Sequence, residues 1–426
     1  MKKKLLSCRN KQILMLQGPM GPFFWRFARD LEKAGAQVHK INFNGGDLLF
    51  YPWRSTSYRG SFDDWPAFFE KIIVDKKIDM VLLFGDCRPV HRVAHTIASR
   101  YNLEIGVFEE GYVRPDYITL ELSGTNGHSK IPRTADFYRD VQLHGNPSEK
   151  HVGKTYWYMV LWAILYYLAS ALLWPVFRGY RHHRPLTLTE MFPWIRSGWR
   201  KLYFREKERG IEERLTGNLS GNYFLVPLQV HNDSQLQVHS GFDSIKDFIE
   251  KVVYSFQKYA PSETVLVIKH HPLDRGYFDY TRLLKWLAAE YALQNRIFYI
   301  HDQHLPALLE HARGVVVINS TVGLSALDHN KPLKVCGSAL YDIQGITFQG
   351  GLDEFWKETP EFLVDRGLFE RFRRYLITQT QLNGSFYKKL SRSDNAAGIV
   401  WDCRNKQQAA ENHLFIQAKK IEQMGL

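Results

Sequence analysis

The chain has 426 residues, 45% of them hydrophobic, 14% aromatic and 23% charged. It is too long for one ordinary domain, and too apolar for a disordered chain. A formal charge of +12 and a pI near 9.3 favour an anionic partner, and the lack of any RRM, KH or finger signature makes nucleic acid the weakest of the choices.

The amino terminus "MKKKLLSCRNKQ" turns polar after two leucines, with no secretory h-region, so a cytoplasmic, reducing location is expected. Cys8, Cys87, Cys336 and Cys403 lie far apart and support neither a disulfide framework nor a zinc site.

Apolar runs then alternate with amphipathic stretches. "ILMLQ" (13–17), "VHKINF" (38–43), "DMVLLFG" (79–85) and "EIGVFEE" (104–110) read as strands, and "FWRFARDLEKAG" as a helix between them. This is the pattern of a doubly wound α/β domain over 1–150. A helical linker over 151–220 follows. It opens with the uncharged "TYWYMVLWAILYYLASALLWPVF" (155–177) and runs into the basic "RGYRHHRP". Its length suits a span, but its tyrosines, tryptophans and Pro175 suit a helix lying in the bilayer interface, the preferred reading ahead of a buried helix.

A second strand series starts near residue 222: "YFLVPLQV", "TVLVIKHH", "RIFYIHD", "GVVVINS" and "KPLKVCG". It defines a second α/β domain over 221–355, and residues 356–426 read as polar helices. The fold class expected is therefore α/β: two Rossmann-like domains facing a cleft, in the manner of GT-B glycosyltransferases, with the aromatic helical segment between them.

Chemistry is expected at the carboxyl ends of the strands, where open α/β sheets bind ligands. In the second domain "VIKHHPLDRG" brings Lys269, His270, His271 and Pro272 to such an end. "VVVINSTVGLSAL" brings Asn319, Ser320 and Thr321 to the start of a helix, an arrangement suited to a phosphate. Each motif alone also fits a capped helix and a solvated loop. In the first domain "FGDCRP" and "FEEGYVRP" place Asp86, Glu109 and Glu110 beside Arg88 and Arg114. Neighbouring carboxylates push one another's pKa values apart, as acid, base or nucleophile work requires, while salt bridges to the two arginines are the plainer use. "QGPMGPFFWRF", with Gly18 and Gly21, is neither a dinucleotide fingerprint nor a P-loop, and "FNGGD", from Asn44, is a turn. "FDDW" is not a metal-binding DxD, and no metal is expected.

A carboxylate pair before a glycine, then His-Pro, then Ser-Thr, over two α/β domains, resembles the motif series of bacterial sialyltransferases and Kdo transferases. "LQGPMGPFF", "FNGGD", "FGDCRP", "FEEGYVRP", "NDSQ", "VIKHHPLDRG" and "INSTVGLSAL" together resemble the capsule polysaccharide biosynthesis family of KpsS/LipB type over nearly the whole chain. The resemblance implies a retaining β-Kdo transferase, peripheral at the cytoplasmic face of the bacterial inner membrane. Such an enzyme moves Kdo from CMP-Kdo to lysophosphatidylglycerol and starts the poly-Kdo linker of a capsule glycolipid. It implies no cofactor or metal, and as partners a second Kdo transferase and the capsule export machinery. His271 with Pro272 would then contact the CMP phosphate, Ser320 and Thr321 would hold it, and Lys269, His270, Asn319 and Gln229 would line the CMP-sugar site. Glu109, Glu110 and Asp86, with Gly18, Gly21, Asn44, Arg88 and Arg114, would stand on the acceptor side. Two other readings share this architecture: a nucleotide-sugar epimerase, and a noncatalytic capsule export or assembly subunit.

Overall fold

The β-branched and leucine-rich runs become strands because helices cover both faces of the sheets they form. The computed structural model describes residues 5–6, 8–143, 150–180, 191–231 and 240–403. Described residues of 1–125, 144–188 and 376–426 make one compact unit, and those of 126–143 and 189–375 a second.

The first unit holds β1 (Leu5–Leu6), β2 (Gln12–Met15), β3 (Gln37–Asn42), β4 (Thr56–Ser57), β5 (Met80–Phe84), β6 (Glu104–Glu110) and β7 (Tyr117–Leu122). The second holds β8 (Tyr223–Pro227), β9 (Val265–Lys269), β10 (Ile297–Ile300), β11 (Gly314–Val317) and β12 (Leu333–Val335). The chain then returns to the first unit with β13 (Gln381–Asn383) and β14 (Asp402–Cys403).

The first sheet has the order β13-β7-β6-β5-β2-β3-β4. It is parallel from β4 to β6, and β7 and β13 extend it antiparallel. The second, β10-β9-β8-β11-β12, is parallel throughout. Strand order reverses between β2 and β5 in one sheet and between β8 and β11 in the other. At such reversals the flanking loops diverge and leave a ligand-sized crevice.

Helices hold each sheet by one apolar stripe. Ser244 accepts the Asp247 N–H at 3.2 Å and starts the helix Ile245–Tyr259. Ile245, Phe248, Ile249, Val252, Val253 and Phe256 then follow at helical spacing and are buried. Each stabilises by roughly 1.5–3 kcal/mol before the entropy of ordering is subtracted.

Four features depart from the sequence expectation. Residues 155–177 do not link two domains: the helix Tyr156–Leu172 belongs to the first unit and the helix Met191–Lys207 to the second. The segment after 356 is not all helical. The helix Arg366–Thr380 gives way to β13, whose Gln381 side chain accepts the Tyr112 N–H at 3.0 Å. "YITLEL", not among the strands expected from the sequence, is β7, buried along five of its six positions. Cys8 takes part in a disulfide, for which the spacing of the cysteines gave no reason.

Among the described residues no helix is long and apolar enough to cross a membrane. Tyr156–Leu172 is instead a surface helix with two unlike faces. Tyr166 and Ser170 are buried, whereas Trp157, Leu161, Ile164, Leu168 and Leu172 form an exposed stripe. Its inner face meets the short helix Gly45–Phe50 so closely that a Cβ on Gly45 would stand 2.1 Å from the Ala169 carbonyl oxygen. A Cβ on Gly46 would stand 2.4 Å from the Tyr166 ring. The two glycines of "FNGGD" are therefore required by packing.

Candidate functional site

At the carboxyl edge of the first sheet, β6 ends in Glu109 and Glu110, and β5 leads into Gly85 and Asp86. Burial pushes the Glu109 carboxyl up to about 7; the Glu110 and Asp86 charges add to the rise, against the Glu110 N–H and Arg88. Its Oε1 accepts the Glu110 N–H at 3.1 Å. A Cβ on Gly85, whose φ of +72° suits glycine, would lie 3.5 Å from Glu109 Oε2 and 3.8 Å from Arg88 Nε. The three acids are used differently. Asp86 is buried and accepts the Thr125 N–H at 3.1 Å, and Glu110 accepts the Tyr387 hydroxyl at 2.6 Å. Glu109 is the one whose proton is poised near neutrality.

Among the described residues neither Arg88 nor Arg114 forms an ion pair with these acids, so the plainer salt-bridge reading does not hold. Arg114 Nε donates to the Gly111 carbonyl at 3.1 Å, and Arg88 Nη1 to Gln17 Oε1 at 2.5 Å.

Gln17, fully buried just past β2, organises the strand-order reversal. Its Oε1 also accepts the Tyr180 hydroxyl at 2.9 Å, and its Nε2 donates to Tyr166 Oη at 2.9 Å. Tyr166 in turn donates to Asp47 Oδ1 at 3.0 Å and accepts from Asn44 Nδ2 at 2.6 Å. Burial and the Asp47 charge hold its phenol protonated. Asn44 also caps the helix Gly45–Phe50, accepting the Asp47 N–H at 2.9 Å. The aromatic helix thus places one hydroxyl inside the loops of the first sheet's carboxyl edge.

Gly18 and Gly21 serve packing. A Cβ on Gly18 would meet the Phe24 ring at 2.8 Å, and Gly21, at φ +111°, lies against Trp162. Beside them Gly18, Phe24, Trp25, Lys40, Asp47 and Tyr166 line a small pocket. Burial pushes the Lys40 ammonium there down to about 8.

In the second unit the "KHHP" cluster does not act as a block. Lys269 is buried and donates to the His301 carbonyl at 2.8 Å. His270 is buried against Tyr299, 2.6 Å from Nδ1 to the hydroxyl, and burial with the neighbouring His301 pushes it down to about 3, so it is neutral. His271 is partly exposed and Pro272 exposed. His271 Nδ1 accepts the Leu273 N–H at 3.2 Å.

Gln229 and Asn319 meet across the β8/β11 reversal, Gln229 Nε2 donating to Asn319 Oδ1 at 2.9 Å. Ser320 Oγ accepts the Val322 N–H at 3.3 Å, and the Thr321 side chain does not cap the seven-residue helix Val322–Asp328 that follows it. "NDSQ" (232–235) lies outside the described residues.

The loop after β9 is clamped to the helix Met191–Lys207. Arg196 Nε donates to the Gly276 carbonyl at 2.6 Å, Arg200 Nη1 to the Arg275 carbonyl at 2.9 Å, and Arg275 Nε back to the Ser197 carbonyl at 2.9 Å. The helix's other side exposes Phe192, Ile195, Trp199 and Leu202, a second apolar stripe. Sequence reasoning passed over Tyr166, Tyr180, Asp47, Tyr387, His231 and Asp274. Only the i, i+3 spacing of Asn44 and Asp47 at a helix start was available as a signal.

A family model described as "Capsule polysaccharide biosynthesis protein" matches residues 79–387. The Escherichia coli capsule polysaccharide export protein KpsS is 43% identical over 379 residues, 88% of this chain and 97% of the relative. The capsule polysaccharide modification protein LipB of Neisseria meningitidis serogroup A is 42% identical over 392 residues, 89% of this chain and 92% of the relative. Among solved structures, Thermosulfurimonas dismutans KpsC, a beta Kdo 2,7 transferase, matches at TM-score 0.39 and 14% identity, covering 85% of this chain and 89% of that one. A UDP-GlcNAc 2-epimerase from Methanocaldococcus jannaschii matches at TM-score 0.30 and 14% identity, covering 86% and 98%.

Proposed function

The chain belongs to the capsule polysaccharide biosynthesis family, and from that premise we propose that it is a glycosyltransferase, a retaining β-Kdo transferase acting on CMP-Kdo and lysophosphatidylglycerol. The observation that carries the reading is Glu109: a carboxyl raised to about 7 by burial, beside Asp86 and Glu110, at the carboxyl edge of a parallel sheet. Such a group can take a proton from an acceptor hydroxyl or, ionised, attack the sugar. Retention is compatible with a covalent intermediate on that carboxylate and with a front-face route.

In this reading the second unit holds the donor, with Gln229 and Asn319 at its strand reversal and His271 contacting the CMP phosphate. Hydrogen bonds to the phosphate assist its departure without a metal. The exposed stripes of Tyr156–Leu172 and Met191–Lys207, the second flanked by Arg196, Lys201 and Arg205, suit a peripheral seat on an anionic inner leaflet. A lipid acceptor is met there.

The test is transfer in vitro from CMP-Kdo generated in situ to a fluorescent lysophosphatidylglycerol, read by mass. A gain of one Kdo that survives EDTA and is lost in Glu109→Gln supports the reading. A folded protein that binds the lipid but adds no sugar supports the noncatalytic export reading instead.

A further inference from the structure

Two histidines of the second unit are held by the same device. Past β10 the Glu208 carboxylate takes both the backbone N–H of His301, at 3.0 Å, and its Nδ1, at 2.6 Å. The Phe204 ring stacks on that imidazole at 3.4 Å and leaves it 4% exposed. Past β8 the Asp274 carboxylate does the same for His231, one oxygen taking the backbone N–H at 2.9 Å and the other Nδ1. Asp274 is buried, yet the His231 side chain keeps 23% of its surface.

One chelate is therefore sealed and the other open. An ionised carboxylate only accepts, so Nδ1 of His231 carries its hydrogen and Nε2 is left for another partner. That Nε2 is not among the sealed, unpartnered atoms, whereas Nε2 of His270 is.

The position is where a parallel sheet takes its ligand. His231 stands two residues beyond Gln229, which is bonded across the β8/β11 reversal to Asn319. The nearby cations are already committed: Lys269 to the His301 carbonyl, and Arg275 to the Ser197 carbonyl and Asp302. A phosphate at this edge needs a different donor.

We propose that His231, oriented by Asp274, is the phosphate-directed donor of a nucleotide site in the second unit. Nε2–H bonds a phosphate oxygen of the nucleotide. In transfer, the sugar–phosphate C–O bond breaks with its electron pair on the phosphate oxygen while an incoming oxygen nucleophile bonds the anomeric carbon, the imidazolium passes its Nε2 proton to the departing phosphate, and neutral imidazole is left with Nδ1–H on Asp274. His271 contributes a contact and His231 the proton. That the nucleotide is CMP rests on the function proposed above; the phosphate contact does not.

The experiment is isothermal titration of the full chain with CMP against cytidine, and with UMP against uridine. Wild type, His231→Gln and Asp274→Asn are compared, each checked by thermal melt. The expected result is that wild type binds CMP more tightly than cytidine. Both variants lose about tenfold for CMP while cytidine affinity moves less than about twofold, the signature of a lost charge-assisted phosphate bond and not of a distorted pocket. Asp274→Asn carries the test if His231→Gln does not fold. CMP affinity unchanged in the folded variants overturns the proposal. Preference for UMP over CMP overturns the CMP reading alone, and His231 is then judged by the same criterion on the UMP and uridine pair. Absence of any nucleotide binding overturns both.

Discussion

The carboxyl edge of the first sheet gathers Asp86, Glu109 and Glu110, whereas that of the second gathers His231, His270 and His271 on the same kind of parallel topology. Each edge sorts its group in the same way. In the first, Asp86 goes to a backbone N–H and Glu110 to Tyr387, and Glu109 keeps a proton poised near neutrality. In the second, His270 is buried neutral, and His271 and His231 reach the surface. Strand-end position alone therefore says little about role; the partner each side chain finds decides it.

The largest expected effect separates the acids. Glu109→Gln lowers transfer by about 10³-fold or more, as loss of a nucleophile or base does, while Glu110→Gln, which loosens the Tyr387 bond and takes one charge away from Glu109, lowers it by about tenfold. Equal losses in steady-state assays would break the distinction. On the other edge, His271→Ala lowers transfer on the order of 100-fold with the melting temperature unchanged. Full turnover in the folded variant would remove His271 from the phosphate.

The sorting also has a signature in stability. The Glu109 carboxyl sits at about 7 when folded, against 4.5 ordinarily. The folded chain therefore holds that proton more tightly, and stability fully present below pH 4.5 is lost as pH rises to about 7. Glu109→Gln removes this loss, on the order of 3 kcal/mol at pH 8, measurable as a flatter denaturation midpoint across pH 5 to 8. The smallest effect concerns the helix Tyr156–Leu172 with its exposed apolar stripe. Leu161→Gln with Leu168→Gln lowers partition onto anionic vesicles several-fold without changing nucleotide binding, and a control on neutral vesicles separates the charge contribution.

The central strands were legible because a parallel sheet buried on both faces leaves short, nearly continuous apolar runs. β5, β6 and β8 to β12 fall within stretches named from the sequence, and β2 and β3 each begin one residue before theirs. β7 was hidden because "YITLEL" alternates with polar residues, as an antiparallel strand does, next to a motif that drew the reading toward chemistry. β13 adds to the sheet from more than 250 residues away, a pairing that no local pattern encodes. The acids and histidines were legible as residue types at strand ends, but not their order of use. That order is set by Tyr387, Tyr299 and Asp274, whose hydroxyls and carboxylate arrive from other elements. Likewise Tyr166 looked like one more interfacial aromatic, and its contact with Gln17 crosses 149 positions.

That tyrosine has a practical consequence for anyone making a water-soluble version of the protein. Excising Tyr156–Leu172 to remove its greasy surface would strip Gln17, Asn44 and Asp47 of their shared hydroxyl and uncover Gly45 and Gly46. Solubility has to be won by repainting the outer stripe, Trp157, Leu161, Ile164, Leu168 and Leu172, with charged helix formers while the inner residues Trp162, Tyr166 and Ser170 stay as they are.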